Sequence, residues 1–560
     1  MFRITAVVLS LLLVSLTGNV SFAQETPLAQ FTEDVDIIVR LREPDQTFEK
    51  LVKVVNKIQP GIGDAVQAQK AAVLGQLISN PTLTGVDETR DWYVGVYTNE
   101  EAPPTIVFAI PATSTGDFVA ALGDGFKTQI HKTWVIYTDA EEIPSVEDSE
   151  PATELLSDAA QSRLKNGDLT VFVNAGHLSE VYSDQIELAQ ENILEALNNL
   201  RHVMPPQGDL DGEAVAQMYT QFAEVFFQMV SDADAVSLSL SVSETEIALD
   251  KFVEFDSESD TAEFLASSKP SRFEKLAQLP ANWPMYSGAS GNMQQFMEWN
   301  LLASTSLLKL EGEKKELADK MKEELQDFEF GATVMAYDIA DTTSAAMRGV
   351  GLFEVTPTHE FQKLTRQGLE AFGTISTGSL DQTITLQIDA ESYGSHKADI
   401  VIMKQTHKDD PTGVAQKMVD ILLGEEGMEC RYSVVDDLYL STVGPGRKLM
   451  EDLIKSIETK KSNRIEKARG SLMPEANFLM LLDLPGIAAR GVKVASKVED
   501  VPLMIDSSAI DNLGLKTSYI GIAVGSEENT LKSQLRIPLD QITDMTKLGV
   551  LIGASLKPGL

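Results

Sequence analysis

"AVSLSLSVSETEIALDKFVEF", residues 235–255, alternates apolar and polar side chains, turns at Ser243-Glu244, and runs on as a second strand. Alternation with period two is the pattern of a strand with one face toward a core. "SYIGIAVGSEENTLKSQLRIPL", residues 518–539, has the same design 518 − 235 = 283 positions later. Two such hairpins far apart in one chain predict a duplicated scaffold.

Other stretches recur in the same order. In the first half, "VDIIVRLREPDQTFEKLVKVVNKI" reads as a strand and then a helix opened by Pro44, with Phe48, Leu51, Val52 and Val55 on one face. "DWYVGVYT" and "PTIVFAIPA" are two strands leading to a helix with Phe118 in its first turn, and "KTWVIYTDAEE" is a further strand. In the second half, "FEFGATVMAYD" and "RGVGLFEVTPTHEFQKL" are two strands leading to a helix with Phe361 in its first turn. "DDLYLSTVGPGRKLMEDLIKSI" stands where "KTWVIYTDAEE" stood, and "EANFLMLLDLPGIAARG" where "GDLTVFVNAGHLSEV" stood. That alignment sets Asp483 opposite Asn174, both read as helix caps.

The fold expected is α+β: two related tandem halves, 33–283 and 284–560, each a mostly antiparallel sheet covered by helices on one face. Ser237, Ser239, Ser241 and Ser243, alternating with Val236, Leu238, Leu240 and Val242, suggest that the other face is solvated. The halves differ by insertions. The first carries two long helices over about 181–231, the later one bearing Val215, Met218, Tyr219, Phe222, Phe226 and Met229 as an apolar stripe. The second carries a long charged helix over about 293–327 and an extra hairpin, "QTITLQIDA…HKADIVIMK".

Met1-Phe2-Arg3 followed by the apolar run Ile4 to Leu16 reads as a signal peptide, 1–23, cleaved after Ala23 and followed by a short tail, 24–32. The expected location is the periplasm or the extracellular space, and no later stretch is apolar enough to span a bilayer. The 46 basic against 84 acidic residues repel phosphate backbones, so nucleic acid is not an expected partner. One cysteine, Cys430, excludes an intramolecular disulfide and leaves stability to burial.

Chemical motifs are sparse. "SGASGN" at 287–292 does not form a nucleophile elbow, the six histidines are scattered singly, and "VGPGRK" at 443–448 completes no phosphate loop. His177, just after a strand end, is the most interesting single residue, although an isolated loop histidine is the plainer reading. No catalytic, cofactor-binding or metal-binding residue is assigned. The residues singled out are Val215, Met218, Phe222, Phe226 and Met229, as the lining of an apolar groove, with packing into a core as the competing reading.

Three stretches carry a resemblance: "DVDIIVRL…FEKLVKVV", "LAQLPANWPMYSGAS" and "LRIPLDQITDMTKL". They resemble a family of uncharacterised secreted bacterial proteins, a domain of unknown function with duplicated strand-helix units. That resemblance implies a secreted two-copy scaffold and no catalytic residues, and the two inserted helices fall outside its pattern. The functional expectation is a non-enzymatic envelope protein that binds a partner protein or other envelope component through an extended sheet or a groove between its halves. A carrier of a lipid or other apolar ligand is the alternative, and a hydrolase with an unrecognised site is a third.

Overall fold

The structure is a computed structural model that describes residues 27–555, apart from 100–102, 145–148, 204–211, 299–300, 302–311, 372, 377–379, 409–412, 461, 464 and 498–504. The leader expected at 1–23 lies outside the described residues. The tail expected over 24–32 does not behave as a tail where it is described: Pro27–Gln30 form a turn of 3-10 helix, and Leu28 and Phe31 are buried. The chain forms two compact units. One comprises Met1–Ala189, Phe227–Leu265 and Glu527–Thr543, the other Gln190–Phe226, Ala266–Ser526 and Asp544–Leu560.

In the first unit the strands are β1 (Ile37–Leu41), β2 (Trp92–Tyr97), β3 (Thr105–Pro111), β4 (Lys127–His131), β5 (Trp134–Thr138), β6 (Leu169–Asn174), β7 (Ala233–Val242) and β8 (Glu246–Phe255). A late strand of the chain, Thr530–Pro538, pairs with β8. The spatial order is β4-β5-β3-β2-β1-β6-β7-β8 and then that late strand, antiparallel at every step.

Helices cover this sheet on both faces, not on one. Helix α1 (Pro44–Ile58) starts at a proline whose missing N–H costs nothing there, carries Asp45 in its first turn and Lys57 in its last, and buries Phe48. Helix α2 (Thr115–Leu122) is capped by Ser114, whose hydroxyl accepts the Asp117 N–H, and buries Phe118. Phe48 and Phe118 share a core with Leu41, Trp92, Val135 and Tyr137. The alternate residues Ile38, Tyr93, Trp134, Ile136 and Phe172 face the other way, into a second core closed by Leu28, Phe31 and helix α3 (Asp158–Leu164). A sheet with two buried faces needs apolar residues at consecutive positions, and all five residues of β5 are buried. For the same reason the serine face of β7 is not solvated: Ser237 and Ser239 are buried, and their small side chains suit a crowded face. Gly167 lies close enough to Ser239 that an added Cβ would sit 3.2 Å from the serine Cβ. Strand β4, absent from the sequence reading, makes a tight hairpin with β5 and is mostly exposed.

After β6 come α4 (Ala175–Val181), α5 (Ser183–Val203) and α6 (Gly212–Ser231). Asn174 caps α4 by accepting the His177 N–H.

In the second unit the strands are β9 (Met285–Ala289), β10 (Glu329–Ile339), β11 (Met347–Thr356), β12 (Thr374–Ser376), β13 (Leu380–Tyr393), β14 (His396–His407), β15 (Met428–Val435), β16 (Leu438–Val443), β17 (Phe478–Leu482) and β18 (Ile520–Glu527). The late strand Thr530–Pro538 of the first unit is β19. The spatial order is β12-β13-β14-β15-β16-β11-β10-β9-β17-β18, again antiparallel throughout. Tyr286, Val334, Leu352, Leu440 and Leu481 form one core with helix α9 (Lys448–Glu458). Val355, Val434 and Tyr439 face the opposite way, against α7 (Glu313–Leu325) and α8 (Thr358–Ala371). The long helix expected over about 293–327 does not run unbroken. Gly312, with φ +57 and ψ −135, stands before α7, a conformation no helix interior adopts. Helix α10 (Leu484–Ala495) follows β17, capped by Asp483. Among the described residues no helix is long and apolar enough to cross a membrane.

Candidate functional site

The apolar stripe on α6 is the first place to look. Phe222 and Phe226 are 51% and 60% exposed, and Tyr219 and Val225 beside them are 47% and 61% exposed. Met218 is half-buried. Met229 packs against a small core of Ala233, Val253, Phe255 and Leu265. The Val215 side chain lies outside the described residues. Phe222 and Phe226 thus each keep about half of their surface exposed. The helix is amphipathic, and Tyr219 and Val225 on its apolar side remain largely exposed.

A second arrangement sits where β6 ends. Asp36, just before β1, is fully buried, and its two oxygens are used: Oδ1 lies 2.7 Å from His177 Nδ1, and Oδ2 accepts the Thr98 N–H at 2.5 Å. The imidazole is thus oriented through Nδ1 and partly exposed. An oriented base needs a nucleophile or a bound water to act on, and no hydroxyl or thiol is hydrogen-bonded to this ring among the described contacts. Burial pushes the Cys430 thiol up to about 11, which favours its protonated, less nucleophilic form.

Concave sites lie in the second unit, and two of them bear on ligand binding. The larger, of about 700 Å³, is walled by Gln278, Trp283, Arg348, Asp452, Lys455 and Asn463. Its polar groups are largely committed to structure. The Ser456 hydroxyl donates to the Gln278 carbonyl at 2.7 Å, and Asn463 Nδ2 donates to the Leu276 and Leu279 carbonyls at 2.9 Å each. Arg348 is ion-paired to Asp338, which also lies 3.2 Å from Arg490 Nε. The smaller site, of about 330 Å³, is apolar. Met297, Leu301, Met321, Phe361 and Leu364 line it, and Gly368 keeps its floor open, because a Cβ there would meet the Met321 methyl at 2.8 Å. A cavity of this size and lining fits one apolar chain.

Among the described residues no three His, Cys, Asp or Glu side chains are grouped to hold a metal ion. No family model, no curated protein and no solved structure matches this chain.

Proposed function

We propose that this chain is a secreted, non-enzymatic binding protein made of two copies of one repeat, with its recognition surface on elements added to the copies. Register supports the two-copy reading. β1 meets β6 with Ile37 opposite Val173, and β9 meets β17 with Met285 opposite Leu482. The Asn174 N–H donates to the Asp36 carbonyl and the Asp483 N–H to the Pro284 carbonyl, both at 2.7 Å. The β4–β5 turn begins at Lys132 with φ +55, and the β15–β16 turn at Asp436 with φ +51. Ile38 and Tyr286, Trp134 and Leu438, and Phe172 and Leu481 then fall at corresponding core positions. The same strand order, β4-β5-β3-β2-β1-β6-β7 and β15-β16-β11-β10-β9-β17-β18, runs through both. The resemblance to secreted proteins of unknown function is part of this reading, as is the periplasmic or extracellular location.

The observation that carries the binding role is the outward aromatic face of α6. Tyr219 and Val225 on this face are 47% and 61% exposed, apolar area left in water of the kind that a partner protein or envelope component covers. The test compares the chain with Y219S/V225S. Both should melt alike, within about 0.5 kcal/mol, since surface changes cost little. Only the parent should be retained on immobilised envelope extract of its own host, and equal retention of the two would sink the reading.

The apolar cavity beneath α8 favours a second reading, a carrier of one lipid chain. Native mass spectrometry of protein from its own host should then show a bound lipid, which Gly368→Leu, by filling the floor, should expel.

A further inference from the structure

β8 is paired with its own counterpart. Counting from the hairpin turns, Asp250 is the fifth residue of β8 and Gln534 the fifth of β19, and these two stand directly opposite each other. The nine pairs run symmetrically outward from that centre, from Glu246 opposite Pro538 to Glu254 opposite Thr530. The same equivalence follows independently from the backbone. The Asp168 N–H donates to the Leu240 carbonyl and the Asn477 N–H to the Val524 carbonyl, an offset of 524 − 240 = 284, and 250 + 284 = 534. Two equivalent strands paired antiparallel about equivalent residues form an isologous contact, the geometry by which two identical subunits meet across a two-fold axis.

The side chains have diverged on this symmetric frame. β8 carries Glu246, Asp250 and Glu254 against Lys251, 1 − 3 = −2. β19 carries Lys532 and Arg536 with no acid, +2. Arg536 Nη2 donates to Asp250 Oδ1 at 2.7 Å across the pair. The same register applied to two β8 strands would set Glu246 against Glu254 and Asp250 against itself. Two β19 strands would set Lys532 against Arg536. Like charges directly opposed destabilise a strand pair, whereas β8 against β19 opposes no like charges and sets Arg536 diagonally beside Asp250.

Resting on the two-copy reading, we infer that the β8 edge is a self-pairing association surface whose fitting partner is a second copy of this chain, that it is now satisfied internally by β19, and that acidic β8 and basic β19 have diverged to select this internal partner over self-association. The interface of a homodimer has thus been enclosed within one chain, with the charge pattern excluding the older pairing.

The full chain tests this. D250C/Q534C places thiols on opposed residues and should close a disulfide within one chain, seen as a mobility shift without reductant; failure to close overturns the register and the inference with it. Leu535→Pro should withdraw β19, because a proline cannot donate in a ladder. In that background the acidic β8 should remain a single chain by light scattering. E246Q/D250N/E254Q should double the mass, and D250C in place of D250N should yield a disulfide between two chains. A neutralised β8 that stays monomeric overturns self-pairing, and an acidic β8 that dimerises equally well overturns the charge selection. Where Leu535→Pro fails to fold by circular dichroism, K532E/R536E repels β19 from β8 and the same readouts apply. If the internal disulfide forms but the neutralised strand does not dimerise, self-pairing falls and the two-copy reading stands. If the two sheets fail to superpose in a crystal structure, that reading itself falls.

Discussion

Asp168 in the first unit and Asn477 in the second, which the proposed two-copy reading sets at one station, meet similar surroundings differently. Each opens a strand, and each backbone N–H reaches the neighbouring hairpin, Asp168 to Leu240 and Asn477 to Val524. Asn477 is neutral, and its Oδ1 accepts the Ser526 N–H at 2.8 Å and the Ser526 hydroxyl at 3.0 Å. Asp168 is buried with one oxygen lacking a hydrogen-bond partner, its closest charge Lys50 Nζ at 3.8 Å. Burial, only partly offset by Lys50 and Arg42, pushes its carboxyl up to about 6. The comparison teaches that an acceptor at this place need not be charged: the first unit bears the cost of a buried carboxyl, and the second only that of an Asn477 Nδ2 without a hydrogen-bond partner.

The largest effect should come from Phe118 and Phe361, each in the first turn of its helix. Phe118→Ala removes a fully buried ring and should cost about 3–5 kcal/mol, measured by urea denaturation. Phe361→Ala, at the lip of the 330 Å³ cavity, should cost about 1–2 kcal/mol less, because its surroundings are already open. Equal losses would break the contrast.

Asp168→Asn makes the first unit resemble the second and should stabilise it by about 1–2 kcal/mol at neutral pH. The sign follows from the raised pKa. The folded protein holds this proton more tightly than the unfolded chain, so the wild type gains stability as pH falls through about 6 toward the ordinary aspartate value. The advantage of the asparagine should be complete above that window and vanish below it, as melting at several pH values would show; a constant advantage would contradict the assignment. His177→Gln, which removes the imidazole from buried Asp36 where the second unit has Gly486 and Pro284, should cost about 1 kcal/mol. The smallest effect on stability belongs to Y219S/V225S, whose consequence should be confined to binding.

Much of this scaffold was legible in the residues. The alternation at 235–255, the turn at Ser243, the proline opening α1 and the caps Asn174 and Asp483 are local signals, and each element forms where its own chemistry directs. What escaped depended on neighbours. β4 has too little apolar pattern in "KTQIH" to announce itself, since most of its side chains are exposed. The serines of β7 mimic a wet face, yet Ser237 and Ser239 are covered by elements distant in sequence. The stripe of α6 was visible, but its burial depends on what packs against it, which periodicity does not encode. The Asp36–His177 contact joins residues 141 positions apart with no shared motif.

Cys430 adds a consequence for how the protein is made. A chain whose one thiol is sealed under a sheet has no bonds to shuffle and no oxidase to await. Its route to the native state is therefore indifferent to the thiol chemistry of whichever compartment receives it, and a reductant should change neither its refolding yield nor its melting temperature.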